Sequence, residues 1–428
     1  MKKKKRKTGN ECHRIVTGAV ALLLVVVAFV DTDAQERTLA VTNALIYPVS
    51  SPPIEDGVLI VRDGRIVAVG ENLPVPEGAR ILNVEGRTVM PGLIESHSHM
   101  GFKQLNIPAT GTNNNELSTP INAEVRAIDG LNSNDAAFSL ALAAGVTTMN
   151  ITTGSRSPNS GQAVVVKLRG GTVEDMFLAH GGMKFAIRAD RQFENFPASV
   201  DEVKELLASR LRAARDYLDR HEAAEASATK PPPRDLELEA LGKLLTREWV
   251  VGVHAHNAYD MRHAIALKKE FDLDLYIHHA NGTLELAEEL AAESIAVSFG
   301  PILPFRGREN PELAGPVRLI ELGGRVAFHQ DHPDGHQYFL RHSASLFVRK
   351  GMSKEEALKA LTLYPATLFH LEERIGTLEP SKDADFLVLS GPPLDFESLV
   401  ERVFIDGVEV YDRVSGTNVF GQRVPEGW

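Results

Sequence analysis

His97 and His99 stand one residue apart at the end of a short apolar run, Val89-Met90-Pro91-Gly92-Leu93-Ile94-Glu95-Ser96-His97-Ser98-His99. Side chains alternate faces along a strand, so Glu95, His97 and His99 point the same way. Two imidazoles on one face can reach a single metal ion. A bare pair of this kind is more often a surface feature, so the other histidines decide its meaning. The chain holds only 15 histidines in 428 residues, and many fall at the ends of predicted strands. His254 closes a strand at 249–254, with His256 two residues on; His278 and His279 close one at 273–279. His329, Gln330 and Asp331 close a strand at 325–331, and Lys184 opens one at 184–188. Core packing does not explain histidines at four strand ends; a divalent-metal pocket does.

These residues need a scaffold that gathers strand ends. Strands are predicted at 89–99, 146–151, 163–168, 184–188, 249–254, 273–279, 295–299 and 325–331. Helical periodicity fills the gaps at 135–144, 261–271, 284–292, 313–322 and 338–350. Eight repeated βα units predict parallel strands closed into a (β/α)₈ TIM barrel, an α/β architecture whose sites sit at the C-terminal strand ends. An open doubly wound sheet would need a Gly-rich phosphate turn after its first strand, and none is present. Short strands and the turns Asp63-Gly64 and Asp406-Gly407 mark the two ends of the chain. Residues 35–90 and 372–428 therefore predict one small β-sandwich domain, flanking a barrel domain at 91–371.

One interval, about 195–247, is too long for a simple βα unit and reads as a helical insertion. Ser199 and Glu202 form a capping box, and Val200, Val203, Leu207, Leu211, Ala214 and Leu218 follow a helical stripe. Residues 222–235, with Pro231-Pro232-Pro233, read as an exposed polar excursion. The polar segments 102–132 and 153–161 follow strands at the site end and are candidate substrate loops. Their residues do not name a substrate. Arg156 could pair with a substrate carboxylate, though a loop arginine is more often solvated.

Composition narrows the classes. The chain is 43% hydrophobic and 24% charged, which is ordinary for a globular protein, and its formal net charge of −11 argues against nucleic acid as a partner. The first residues differ. Lys2 to Lys7 are all basic, residues 15–30 are almost wholly apolar, and Asp31 to Glu36 are polar. This is the pattern of a secretory signal cleaved after Ala34, which predicts an exported, periplasmic or extracellular protein. The rival is an uncleaved membrane anchor, since the run is near the shortest span, roughly 17 residues. The single cysteine, Cys12, lies within residues 1–34, so a mature chain would have no thiol chemistry.

The motifs together resemble the amidohydrolase superfamily, and within it the imidazolonepropionase-like branch of secreted amidohydrolases. They are the Met90-to-His99 run, Ala144-Gly145-Val146-Thr147-Thr148, Val253-His254-Ala255-His256, Ile277-His278-His279-Ala280, Gln330-Asp331-His332-Pro333, and the closing Arg374-to-Phe386 segment. Glu95 departs from the pattern, where the family usually has aspartate. The resemblance implies that His97 and His99 ligate an inner ion, and that His254 and His279 are the strand-five and strand-six ligands. Asp331 would bind metal and carry the catalytic proton. Lys184 matches the lysine that binuclear members carboxylate to bridge two ions, and an ordinary salt-bridging lysine is the other reading. His278 is the alternative to His279, and His256 and His332 are left to outer-shell or substrate roles. The cofactor implied is a divalent metal, with zinc the first choice, as one or two ions per chain. The implied reaction is hydrolysis of a C–N bond in a peptide-like or cyclic amide, so the partner is a small molecule or short peptide. A deaminase on the same scaffold would often place a glutamate shortly after the strand-five histidine, and residues 255–260 contain none. A non-catalytic metal-containing binding protein is the remaining alternative. The oligomeric state is left open.

Overall fold

The structure, a computed structural model, describes residues 38–104, 114–191, 193–302 and 313–421. The expected signal segment at 1–34, Cys12, and residues 105–113 of the first candidate substrate loop lie outside these. No helix among the described residues is long and apolar enough to cross a membrane.

The described chain begins with β1 (Thr38–Ile46), β2 (Ile54–Arg62), β3 (Arg65–Glu71), β4 (Arg80–Asn83) and β5 (Thr88–Pro91). Asp63 and Gly64 both take positive φ, 50° and 77°, in the two-residue loop between β2 and β3. Such a loop twists with its strands only when both residues tolerate that conformation, which is why an Asp-Gly pair occupies it. The barrel strands follow: β6 (Leu93–Ser98), β7 (Val146–Ile151), β8 (Asn159–Lys167), β9 (Phe177–Ala186), β10 (Val251–Ala255), β11 (Leu275–His279), β12 (Ala296–Phe299) and β13 (Val326–Phe328). The chain then returns through β14 (Phe386–Leu389), β15 (Val400–Ile405), β16 (Val408–Asp412) and β17 (Thr417–Asn418). Both termini build one nine-stranded sheet: β14 of the C-terminal arm pairs antiparallel with β5 of the N-terminal arm. Leu39, Val41, Ile46, Leu59, Val89, Phe386 and Phe404 share its apolar core.

The second sheet holds the eight expected strands in chain order. One direction differs from expectation. β8 runs antiparallel to both β7 and β9, so the barrel is not eight repeated βα units. The physical reason is connection length. A parallel crossover needs a dozen or more residues. Residues 152–158 alone join β7 to β8, and the short link to β9 holds a single helical turn, Val173–Met176.

β13 comes back beside β6 to bring the sheet nearly to closure. The seam uses side chains: Ser96 Oγ donates to Phe328 O at 2.9 Å, and Gln330 N donates to Glu95 Oε1 at 2.7 Å. One backbone bond adds to it, His99 N to His332 O at 3.2 Å. Below the strand ends, Ile94, Val165, Val250, Tyr276, Ala296 and Ala327 cluster with Leu368, Phe369 and Ile375, closing the barrel floor.

The long interval before β10 carries two helices, Val200–Ala226 and Leu236–Leu245, packed on each other. Ser199 caps the first by accepting from Glu202 N, while Glu202 Oε2 accepts from Ala198 N instead of closing the box on Ser199. The helix runs on to Ala226, further than the polar composition from residue 222 suggested.

Candidate metal centre

Each expected site residue reaches the C-terminal end of the barrel. His97 and His99 leave the end of β6, and Asp331 follows β13 by three residues. His97 Nε2 lies 3.4 Å and His99 Nε2 lies 3.5 Å from the same Asp331 Oδ1. Lys184, on β9, places Nζ 3.5 Å from His97 Nε2. The His254 and His279 rings are 4.5 Å apart, and the His97 ring is 5.5 Å from that of His279. One ligand atom from each of His97, His279 and Asp331 falls within 4.8 Å of the others, as does one from each of His254, His256 and His279. His279 therefore belongs to both groups.

The choice between His278 and His279 does not arise in the way alternation suggests. Adjacent residues on a strand should face opposite sides. Here His279 and Ala280 both take positive φ, 66° and 50°, which turns the chain at the end of β11. His279 is thereby swung into the pocket while His278 keeps its inward position, 4.2 Å from the His97 ring. Positive φ at two consecutive non-glycine residues is uncommon and is strain of the kind found at functional sites.

The rings are oriented from behind. His99 Nδ1 donates to Thr152 O at 2.8 Å, and His279 Nδ1 donates to Gly300 O at 2.9 Å. His97 Nδ1 meets Thr152 Oγ1 at 3.2 Å. For His99 and His279 this leaves Nε2 facing the pocket, the arrangement that fixes the ligating tautomer. His279 Nε2 and Asp331 Oδ1 are buried without a hydrogen-bond partner among the described residues. Orphaned buried acceptors are costly unless a cation or donor fills the space between them. The donor set, neutral imidazoles and one carboxylate, is the chemistry that holds a borderline divalent ion.

Burial sets the protonation states. It holds His97, His99 and His254 well below the usual imidazole value, reinforced by the Lys184 charge, and it does the same to His279 with His254 adding to it. These rings are neutral at physiological pH and free to ligate. Burial also pushes Lys184 down to about 7 against the pull of Asp331, and raises Asp331 to about 6 against the pull of Lys184. Burial raises Glu95 to about 8.

Two histidines not expected as ligands join the site. His256 stacks on His279 at 4.5 Å. His329, two residues before Asp331, places its ring 5.2 Å from His97 and 5.1 Å from His279. Its signal in the sequence was the same one-residue spacing seen in His97 and His99. Arg156 does not wait for a substrate: its Nε pairs with Asp190 at 2.9 Å and its guanidinium lies over Phe193.

Gly252 makes room for this layer. A Cβ there would lie 2.4 Å from His278 Nε2 and 2.7 Å from Tyr276 Oη. Gly252→Ala is expected to cost about 1–3 kcal/mol in urea unfolding, the range for overpacking a close-packed interior. An unchanged midpoint would show that the His278 ring moves freely.

Comparison with known proteins agrees with this geometry. An amidohydrolase from Thermotoga maritima matches over 88% of this chain and 100% of its own, at 33% identity and a TM-score of 0.82. The chain belongs to the amidohydrolase family. The profile of the Amidohydrolase family matches residues 199–411 of it. This amidohydrolase is also 25% identical over 431 residues to the amidohydrolase tasK of Hapsidospora irregularis, covering 89% of this chain but 44% of that longer relative. It is 25% identical over 387 residues to an imidazolonepropionase of Symbiobacterium thermophilum, covering 79% and 85% of the two chains. The family makes the protein a hydrolase, and its candidate His and Asp metal-binding groups lie where the barrel strands end.

Proposed function

We propose that this amidohydrolase cleaves the C–N bond of a peptide-like or cyclic amide with a divalent ion, zinc first among them. The observation that carries the reading is the meeting of His97, His99 and Asp331 from the two ends of the sheet, with Nε2 atoms facing a single carboxylate oxygen at 3.4 and 3.5 Å. His97, His99 and Asp331 would hold an inner ion, and His254, His279 and Lys184 an outer one. When bound, such an ion supplies hydroxide near neutral pH and polarises the amide carbonyl.

The remaining work falls to the protein. Asp331 accepts the water proton on a carboxylate oxygen and passes it to the leaving nitrogen. Its raised value, about 6, suits a group that must both take and give a proton near neutrality. Lys184, largely buried and held near 7, has an amine that is partly uncharged at physiological pH and therefore open to carboxylation. Strand-end loops supply substrate contacts, and the amino-terminal segment supplies export. Sequencing the mature N-terminus distinguishes cleavage after Ala34 from an anchor.

Metal analysis tests the reading. The purified protein is expected to carry two divalent ions per chain, and Lys184→Ala to carry one. One ion in both would remove Lys184 from the ligand set. Chelation is expected to abolish hydrolysis of a dipeptide and cyclic-amide panel and to lower Tm, since an ion at a thousand times its Kd stabilises the fold by about 4 kcal/mol. Undiminished hydrolysis after complete metal removal would end the proposal.

A further inference from the structure

His329 carries a hydrogen-bond chain that fixes which of its nitrogens holds the proton. Ser96 Oγ lies 2.9 Å from Phe328 O and 2.7 Å from Ser298 Oγ, and Ser298 Oγ lies 2.8 Å from His329 Nδ1. A carbonyl has no proton to give, so the Ser96 hydroxyl donates to Phe328 O. Ser96 Oγ must then accept from the Ser298 hydroxyl. That uses the only proton Ser298 has, so His329 Nδ1 must donate to Ser298 Oγ. In a neutral ring the other nitrogen, Nε2, is then a bare lone pair. It is fully buried and makes no well-formed hydrogen bond among the described residues.

This is the arrangement of His99 and His279, whose Nδ1 atoms donate to backbone carbonyls behind them and whose Nε2 atoms face the pocket. His278 breaks the pattern, because neither of its ring nitrogens has a partner. The His329 ring stands 5.2 Å from that of His97 and 5.1 Å from that of His279, beside candidate ligands of both groups.

We propose that His329 is a further metal ligand of this protein, held in its ligating tautomer by the Ser96–Ser298 hydroxyl chain. The proposal rests on the metal-dependent reading above and extends its ligand set from the strand-eight aspartate to a histidine–aspartate pair, matching the pair on β6. Ser298 is a positioning residue, acting only through the ring it holds.

The test is zinc affinity of the full chain by competition with a chromogenic chelator, together with the visible spectrum of the cobalt-loaded protein. Ser298→Ala removes the Nδ1 acceptor and is expected to weaken zinc binding by about 10–100-fold, the usual cost of losing an outer partner of a ligating histidine. Ser298→Thr keeps the hydroxyl and is expected to restore affinity. His329→Gln is expected to weaken binding further and to shift the cobalt absorption. Wild-type affinity in His329→Gln overturns the proposal, and so does weakened affinity with an unchanged cobalt spectrum. Should His329→Gln fail to fold, Ser298→Ala decides alone, and wild-type affinity in it overturns the proposal. A wild-type chain that takes up neither zinc nor cobalt would instead remove the metal-dependent function itself.

Discussion

Asp331→Asn is expected to lower kcat by about 10²–10⁴-fold, the contribution of a positioned acid–base group, while leaving the protein folded. Asparagine keeps the shape of the side chain and can still meet His97 and His99, but it can neither take nor return a proton. The backbone is not asked to change. Asp331 sits at φ 53°, a conformation asparagine adopts as readily as aspartate. Asp331 also belongs to the ligand group with His97 and His279, so the variant must be assayed with saturating zinc to separate lost proton transfer from lost metal. The measurement is kcat on the most active amide of the panel, beside the thermal unfolding curve of the same sample. A variant that turns over near the wild-type rate would remove Asp331 from the catalytic step.

Lys167→Met is expected to destabilise the fold by about 3–5 kcal/mol at pH 7, with the site itself untouched. Lys167 is fully buried at the end of β8, its Nζ 2.8 Å from Asp383 Oδ2 and 3.0 Å from Asp385 Oδ2, with Asp406 also bound. These aspartates belong to the return segment and the β15–β16 hairpin, so the ammonium joins the barrel to the terminal sheet. Burial works to lower its pKa, but Asp385, Asp406 and Asp383 together raise it. Removing one partner of a buried charge network leaves the others uncompensated, which costs more than the network is worth intact. Asp383 keeps Arg65 and Arg374 in the variant, whereas Asp385 keeps no cation among the described residues.

The pH dependence has a definite sign. In the wild type Asp383 is opposed by burial but held below the usual carboxylate value by Lys167, Arg374 and Arg65. Its contribution is present above about pH 3.9 and is lost as the pH falls through the lower folded value. Without Lys167, burial and the Asp406 charge act on Asp385, already raised in the wild type, against only the Asp406 backbone N–H, and a raised carboxyl destabilises the folded state more as pH rises. The gap between variant and wild type should therefore narrow from pH 7 toward pH 4. Urea unfolding at both values measures it, and a gap that stays constant or is absent would show that the network is not holding the two sheets together.

Much of the fold and site is legible in the residues. The Asp-Gly turns at 63–64 and 406–407 fall where positive φ is required, and the Ser199 cap starts its helix. Apolar runs marked all eight barrel strands, though the fourth, expected at 184–188, begins seven residues earlier and spans Phe177–Ala186. The ligand candidates His97, His99, His254, His279 and Asp331 were visible because histidine is scarce and they close predicted strands, whereas Lys184, which opens its predicted strand, rested on the family resemblance. The direction of β8 was not visible. Its first residues, Asn159-Ser160-Gly161-Gln162, have weak strand preference and became a strand only by pairing with β9. That hid how short the connection from β7 is, and with it the antiparallel course that delivers Lys167 to the base of the barrel, away from the candidate metal centre.

By itself the sequence determined which side chains alternate, where the chain turns and which residue types could carry metal chemistry, because propensity, turn conformation and residue type act over a few neighbours. Only the tertiary structure decided that His278 and His279 both enter the pocket, that Ser96, Ser298 and His329 form one chain, and that side chains close the seam between β6 and β13. Those outcomes join residues up to 235 positions apart, as Glu95 and Gln330 are. Partners that distant are chosen by barrel closure and burial, which no local pattern encodes.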